Sequence, residues 1–435
     1  MSMPKLSVPM ILAVFACWLS VPSFADSQAR IVRLSQVDGD VQIDRNLGQG
    51  YEKAFINLPV TQGAKLRTGQ GARAEIEFED GSSLRLTPGS VVEFPELARR
   101  DSGARASTVE LQQGTAYLNF KGDKGEEFGF DFGRQSLTLK KPSHLRVELR
   151  DANATVAVFN GAVEVNGASG KVDVDKKHSA TFDLTGSEPY TLANNLEPDP
   201  YDDWDRQQDR YHQQYSANSY SPYGYGASDL NYYGSFYNMP GYGTMWQPYL
   251  VGAGWDPFMN GAWTWFPGSG YAWVSGYPWG WTPFRYGSWT YLNSFGWFWQ
   301  PGRIGTGWNT VPRVVNPPQH FNVPRMPSTP GQTLMVNRGA PVGAIGVIQG
   351  RSEVRGDSAG LGVARGSIRN LGRISQQVER PASGSGTMRS PTAGSAVRLP
   401  PGGSRVSAPA ATGASPRMSG GSVSSAPSSH GPSHR

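Results

Sequence analysis

Cysteine is almost missing from this chain: Cys17 is the only one among 435 residues. Disulfides need pairs and thiolate metal centres need several ligands, so neither can organise the fold. Charge is sparse too, with Asp, Glu, Lys and Arg at 17%, while 54 Gly and 33 Pro keep much of the chain from being ordinary packed core. Past the N-terminus no apolar run approaches the roughly 20 residues a membrane span needs. Catalytic signatures are lacking as well. His144, His178, His212, His320, His430 and His434 are scattered outside any nucleophile-elbow or zinc-protease context, and no phosphate-cradling glycine loop joins a strand to a helix. A chain without catalytic residues, cofactor or metal site is expected.

What is present begins with an export signal over 1–25: Lys5, an apolar stretch around Met10 to Leu19, and Ser23-Phe24-Ala25 before a mature start at Asp26. Val14 to Cys17 loosely follows a lipobox, but bulky Phe15 is wrong for one, so soluble export is favoured over a lipid anchor. The expected location is periplasmic or secreted, associated with the envelope. The net charge of +5 hides an asymmetry, because Arg325 to Arg435 holds 13 Arg against Glu353, Asp357 and Glu379 and leaves an acidic body.

Residues 31–192 alternate with period two, the signature of half-buried strands. Ala74, Ile76 and Phe78 would face a core, with Glu75, Glu77 and Glu79 in water. Asp80-Gly81, Pro88-Gly89, Asn160-Gly161 and Asn166-Gly167 supply tight turns, and Thr155 to Val165 reads as a hairpin about Asn160-Gly161. The fold class is mainly β, a sandwich or roll or a short solenoid. A short helix follows over 199–216. Asp199 can cap it, Pro200 suits its first position, and Asp202, Asp203 and Asp205 favour its positive end. Those acids lack the glycine and ligand spacing of a calcium loop. Trp204, Gln208, Tyr211 and Tyr215 share one face, as docking on a neighbouring domain requires.

Eleven of the thirteen tryptophans fall between Trp246 and Trp308. The pattern of Trp255 to Gly276 returns at Trp281 to Gly302, an offset of 26, and a weaker copy runs from Gly234 to Trp246. Each copy over 227–310 reads as a hairpin, pairing Trp263 and Trp265 with Tyr271 and Trp273, and Trp289 and Tyr291 with Trp297 and Trp299. The rings either bury one another or form an exposed platform of Trp263, Trp265, Trp273, Trp289, Trp297 and Trp299 for sugar faces; mutual packing is favoured. The segment 326–435, rich in Gly, Ser, Pro and Arg, is expected to be disordered. Leu361, Ala364, Ile368, Leu371 and Val378, with Arg365, Arg369, Arg373 and Arg380, form a basic stripe, read as a transient helix able to touch anionic surfaces.

Two family resemblances emerge. Val37-Asp-Gly-Asp-Val-Gln-Ile43, Gly63-Ala-Lys-Leu-Arg-Thr-Gly69, Ala72 to Phe78 with Asp80-Gly81-Ser82, Leu84-Arg-Leu86, Leu111 to Gly114 and Val158 to Val165 resemble the FecR domain. That module, named for a ferric-citrate sensor, implies an all-β, non-catalytic sensing or binding domain. An export signal stands here where the family's signalling members carry a cytoplasmic segment and a membrane span. Asp229-Leu230, Tyr233-Gly234, Gly241 to Pro248, Gly280-Trp281-Thr-Pro-Phe284 and Gly287-x-Trp289 resemble a Gly/Trp-rich domain of unknown function found after FecR domains. The function expected is binding or scaffolding at a cell-wall polymer, glycan or envelope protein. Carbohydrate binding through exposed Trp rings, or partnership in a sigma-regulatory system, are the alternatives; export disfavours nucleic acid.

Overall fold

Alternation of apolar and polar residues drives the first part of the chain into strands. The computed structural model describes residues 30–167, 170–186, 190–216, 224–302, 309–338, 347–348, 351–352 and 355–378. The expected export signal with Cys17, the outermost Trp308, His430 and His434, and the expected tail from 379 onward lie outside the described residues.

Seventeen strands form two layers. In one, Val32–Asp38 pairs with Arg73–Glu77, which pairs with Ser83–Leu86. The ladder continues through the end of Arg105–Phe120 to Ser143–Leu149, Asn153–Asn160, Ser179–Asp183 and Thr191–Ala193. In the other layer, Val41–Asp44, Lys65–Thr68 and Val91–Arg99 lead to the start of the same long strand. Beyond it lie Glu126–Phe132, Gln135–Leu139, Ala162–Gly167 and Gly170–Asp175. The long strand passes between layers at Gly114, whose φ of 87° suits glycine and whose Cβ would meet the Gly89 carbonyl oxygen at 2.8 Å. Inward Leu, Val and Phe from both layers close one aliphatic core.

Two expectations about this domain fail. Asn153–Asn160 pairs within the first layer and Ala162–Gly167 within the second, so the Gly161 turn carries the chain across the core and is not a hairpin tip. Period two identifies strands, not partners. Glu75, Glu77 and Glu79 are not in water either, being 0%, 3% and 5% exposed. Their face is covered by later elements of the chain and lined with arginines.

The helix expected at 199–216 is α1 (Asp202–Tyr215). Asp199 accepts from the Tyr201 N–H at 2.8 Å, and Pro200 lies just before the helix. Trp204, Asp205, Gln208 and Tyr211 are its buried face. Two short helices follow, α2 (Ala227–Tyr233) and α3 (Thr282–Arg285).

Three aromatic hairpins form as the repeat predicts. Gly234–Met239 pairs with Gly243–Pro248, Asn260–Phe266 with Gly270–Ser275, and Ser288–Leu292 with Gly296–Gln300. Phe236 faces Trp246, Trp263 faces Trp273 and Trp289 faces Trp299 at equivalent positions. The first and third hairpins share one sheet through Trp246 opposite Trp299, whereas the middle one pairs with Leu334–Asn337 in another. Its reverse face, Phe266, Ala272 and Val274, packs into the aliphatic core of the first domain.

The repeat conserves a physical rule as well as rings. Two residues before each first-strand aromatic stands a glycine, Gly234, Gly261 or Gly287, over which the cross-strand indole lies. A Cβ on Gly261 would come within 2.5 Å of the Trp273 ring and 2.6 Å of the Val274 carbonyl oxygen. Gly261→Ala should therefore cost about 1–3 kcal/mol by overpacking. Gly254→Ala, with open space around it, should stay within about 0.5 kcal/mol of the parent. Equal urea midpoints for the two variants would contradict the rule.

The segment expected to be disordered from 326 is ordered in part. Leu334–Asn337 is a sheet strand, and residues 355–378 run through turns into helix α4 (Leu371–Val378). Ala359, Val363 and Leu371 lie in the aromatic core. The basic stripe is thus no continuous helix: its regular part starts only at Leu371, and Leu361, Ile368 and Leu371 pack into or against the aromatic core while Ala364 is exposed. Composition misleads because three small anchors on an existing surface suffice to hold a segment that could form no core alone.

Candidate functional site

The sequence-predicted platform is not an exposed one. Trp263, Trp273, Trp289, Trp297 and Trp299 are buried, at most 3% exposed, and Trp265 is half-buried. Trp263 and Trp273 meet edge to face at 5.4 Å, and Trp297 contacts Phe321 at 4.6 Å, so the rings form a core as mutual packing predicts.

The concentration of chemistry lies instead where α1, α2 and the 355–378 segment meet the outer face of the first layer. Arg85 points outward from Ser83–Leu86 and reaches Glu75 at 2.8 Å, Asp205 at 2.5 Å and Asp209 at 2.8 Å. His144 contacts Asp205 at 2.8 Å. Asp202 takes Arg146 at 2.7 Å and the Tyr117 hydroxyl at 2.9 Å. Two of the acids that sequence assigns to the helix start, Asp202 and Asp205, are therefore also ion-pair partners that dock the helix, while Asp203 stays exposed and pairs with Arg206 of the same helix.

On α2, Asp229 is fully buried and accepts from Tyr211 at 2.8 Å, with Arg33 at 2.6 Å. Arg33 also reaches Glu77 at 2.7 Å and donates to the Pro278 carbonyl at 2.7 Å, tying the first domain to the aromatic one. Asn57 adds hydrogen bonds to the carbonyls of Ser275 and Tyr277.

Arg365 completes the junction from the far end of the chain. Its guanidinium forks onto Asp229 at 3.0 and 2.9 Å, reaches Glu75 at 2.5 Å and donates to the Ser35 carbonyl at 2.9 Å. The Tyr211 ring lies 5.4 Å away. His212 sits alongside, 3.1 Å from Glu75 and from the Ser228 hydroxyl. Glu75 with Glu77 and His212, and His144 with Asp205 and Asp209, bring ligand-type atoms together. Their carboxylates already accept from Arg33, Arg85 and Arg365, so a cation would have to displace a guanidinium.

Burial alone would push the Glu75 carboxyl up, but His212, Arg365 and Arg85 outweigh it and hold it well below the usual range. Burial likewise opposes ionisation of Asp229, and Arg365 and Arg33 reverse it. A carboxyl with a lowered folded pKa contributes stability that is present above its ordinary value of 4.5 and is lost as pH falls through the folded value. Glu75→Gln should therefore be less stable than the parent at pH 7, and the gap should close in acid as the parent's own Glu75 takes up a proton. Urea unfolding at neutral pH and near pH 3 reads this; a gap that widens in acid contradicts it.

Sequence reasoning missed Asp229, Arg285 and Arg365. A signal existed for two of them: Asp229 is the lone charge between Arg210 and Asp256, and Arg285 the lone charge between Asp256 and Arg303. A single charge in a long aromatic stretch is there to be buried. Arg285 donates to the Trp273 carbonyl at 2.8 Å and lies 5.1 Å from the Trp281 ring, and burial pulls its pKa down to about 9.

Comparison with known proteins agrees with this two-part construction. The family model described as FecR protein matches residues 64–164, and that described as Family of unknown function (DUF6600) matches 227–320. Among solved structures the chain is similar to a "putative anti-sigma factor" from Parabacteroides distasonis ATCC 8503, solved at 1.65 and at 2.50 Å resolution. Identity is 20% and the TM-score 0.27, with 30% of this chain and 59% of that chain covered. No curated protein matches. The two family matches, one on strands of the aliphatic core and the other carrying most of the aromatic core, mean that this chain carries a FecR domain followed by a DUF6600 domain.

Proposed function

We propose that the chain works without catalysis, as a binding or scaffold module of the cell envelope in which the FecR and DUF6600 domains act as one body. The observation that carries this reading is the buried junction of Arg33, Arg85 and Arg365 with Glu75, Asp205 and Asp229. Such charges tolerate little relative motion, since separating any pair inside the protein leaves a desolvated ion. The middle aromatic hairpin, shared between the cores, works in the same direction. A rigid pair of domains suits presentation of a fixed surface. Saccharide stacking has less support, because five of its six rings are buried.

Purified protein mixed with peptidoglycan sacculi and with outer-membrane vesicles tests the reading. Retention in one fraction at physiological salt is expected, and retention in neither overturns it. The FecR domain favours a second reading, an extracytoplasmic partner in envelope signalling. Deletion of the gene should then change transcription from an envelope-stress sigma-dependent promoter; unchanged transcription removes this second reading. No helix among the described residues is long and apolar enough to cross a membrane.

A further inference from the structure

Residues 355–378 lie beyond both family matches and contact the body in the manner of a bound peptide. Apart from α4 the segment is a succession of turns that close some main-chain hydrogen bonds within themselves, and the body takes up several of the other main-chain groups. The Trp279 indole N–H donates to the Ala359 carbonyl at 2.6 Å, and the Ala359 N–H to the Leu250 carbonyl at 2.8 Å. The Tyr233 hydroxyl donates to the Val363 carbonyl at 2.7 Å. The Tyr232 hydroxyl serves Ile368 twice, donating to its carbonyl at 3.2 Å and accepting its N–H at 3.1 Å. The Leu250 N–H donates to the Ser375 hydroxyl at 2.9 Å.

Specificity comes from few side chains. Ala359, Val363 and Leu371 enter the aromatic core, and Gly360 is pressed against the Tyr233 ring, where a Cβ would stand at 2.7 Å. Arg365 enters a pocket that matches guanidinium shape as well as charge: a bidentate carboxylate, a second carboxylate, a carbonyl and an aromatic ring. Main-chain hydrogen bonds supplemented by a few side-chain pockets are the usual physics of peptide recognition. Lysine could not reproduce the fork.

We propose that the junction of the FecR and DUF6600 domains is a peptide-binding groove, that residues 355–378 are its tethered ligand, and that it accepts an arginine-bearing segment of a partner protein in their place. The partner segment carries a small residue, an aliphatic residue and an arginine at the spacing of Ala359, Val363 and Arg365, with a leucine six residues on. This rests on the binding-module reading and supplies its partner class. The tether keeps the cis ligand at a high effective concentration, so the groove opens to a partner only in competition with it.

The test uses the full chain with a protease site placed between Arg338 and Arg355, cut while folded. A fluorescein-labelled synthetic peptide of residues 355–378 is then added and followed by anisotropy. Saturable uptake is expected, with uncut protein taking up far less. An unlabelled Arg365→Ala peptide should compete about 100-fold less well than the parent peptide. A peptide that keeps only Ala359, Val363, Arg365 and Leu371 amid serine and glycine should compete within about tenfold of the parent. Absence of exchange in cut protein that stays folded by tryptophan fluorescence overturns the proposal, since the segment is then fixed core. Unfolding of the body on cutting overturns it for the same reason, and equal competition by the Arg365→Ala peptide removes the arginine determinant. Retention by envelope fractions is not read here, so this test and that of the binding-module reading fail separately.

Discussion

Arg365→Ala is expected to destabilise the folded protein by about 3–5 kcal/mol, the range for removing one member of a buried ion pair. The side chain is 7% exposed, and both acids it serves, Glu75 and Asp229, are fully buried. Its loss leaves two carboxylates short of one counter-charge in a place where hydration is poor. Arg85 and Arg33 remain, but each already serves other acids, so neither can turn to fill the gap. If the variant segment lifts away and water enters, the cost moves to the lower end of the range. Arg369→Ala, a few residues on and exposed, should change stability by less than about 0.5 kcal/mol. Arg365→Lys keeps the charge without the fork and should fall between the two. Urea unfolding monitored by tryptophan emission decides, and similar midpoints for the Arg365 and Arg369 variants would refute the role given to the pocket.

Much of the fold is legible because strands and aromatic repeats write themselves into local pattern. The offset of 26 between Trp255 and Trp281 leads to three hairpins, and the cross-strand partners Trp263 with Trp273 and Trp289 with Trp299 follow from turn position alone. Long-range burial is less legible. Alternation at Ala74 to Glu79 shows two faces, yet the same pattern serves a strand with one face in water and a strand covered on both. Besides Arg85, ten residues beyond Glu75, what covers the glutamates is Arg33 on Glu77, 44 residues upstream, and Arg365 on Glu75, 290 residues downstream. No window of sequence holds both ends of such a pair. The 355–378 segment is hidden for another reason: its composition resembles disordered chain because it contributes little core of its own and takes its order from the aromatic surface it lies on. Lone charges in uncharged stretches are the most usable local sign of the junction, and Asp229 was readable in that way.

The second large effect is expected at Trp279, which belongs to no strand of the three hairpins and was absent from the predicted platform. It is fully buried, stacks on Tyr277 at 5.0 Å with an interplanar angle of 8°, and meets Trp246 at 4.9 Å and Trp289 at 5.8 Å. Trp246 and Trp289 come from the first and third hairpins, whose backbones pair at Trp246 opposite Trp299, and this one ring packs against both repeats. Trp279→Ala should cost about 3–5 kcal/mol, since a rigid cage of rings cannot collapse into the cavity left behind. Trp279→Phe retains most of the packing and loses the indole donor to Ala359, which should cost about 1–3 kcal/mol if the carbonyl stays buried and unsatisfied. Trp265→Ala, at the half-buried edge, should cost less than Trp279→Ala. Thermal unfolding of the three variants orders them. A Trp265 variant as damaged as the Trp279 one would mean that the hairpin faces, and not the ring between them, organise the aromatic core.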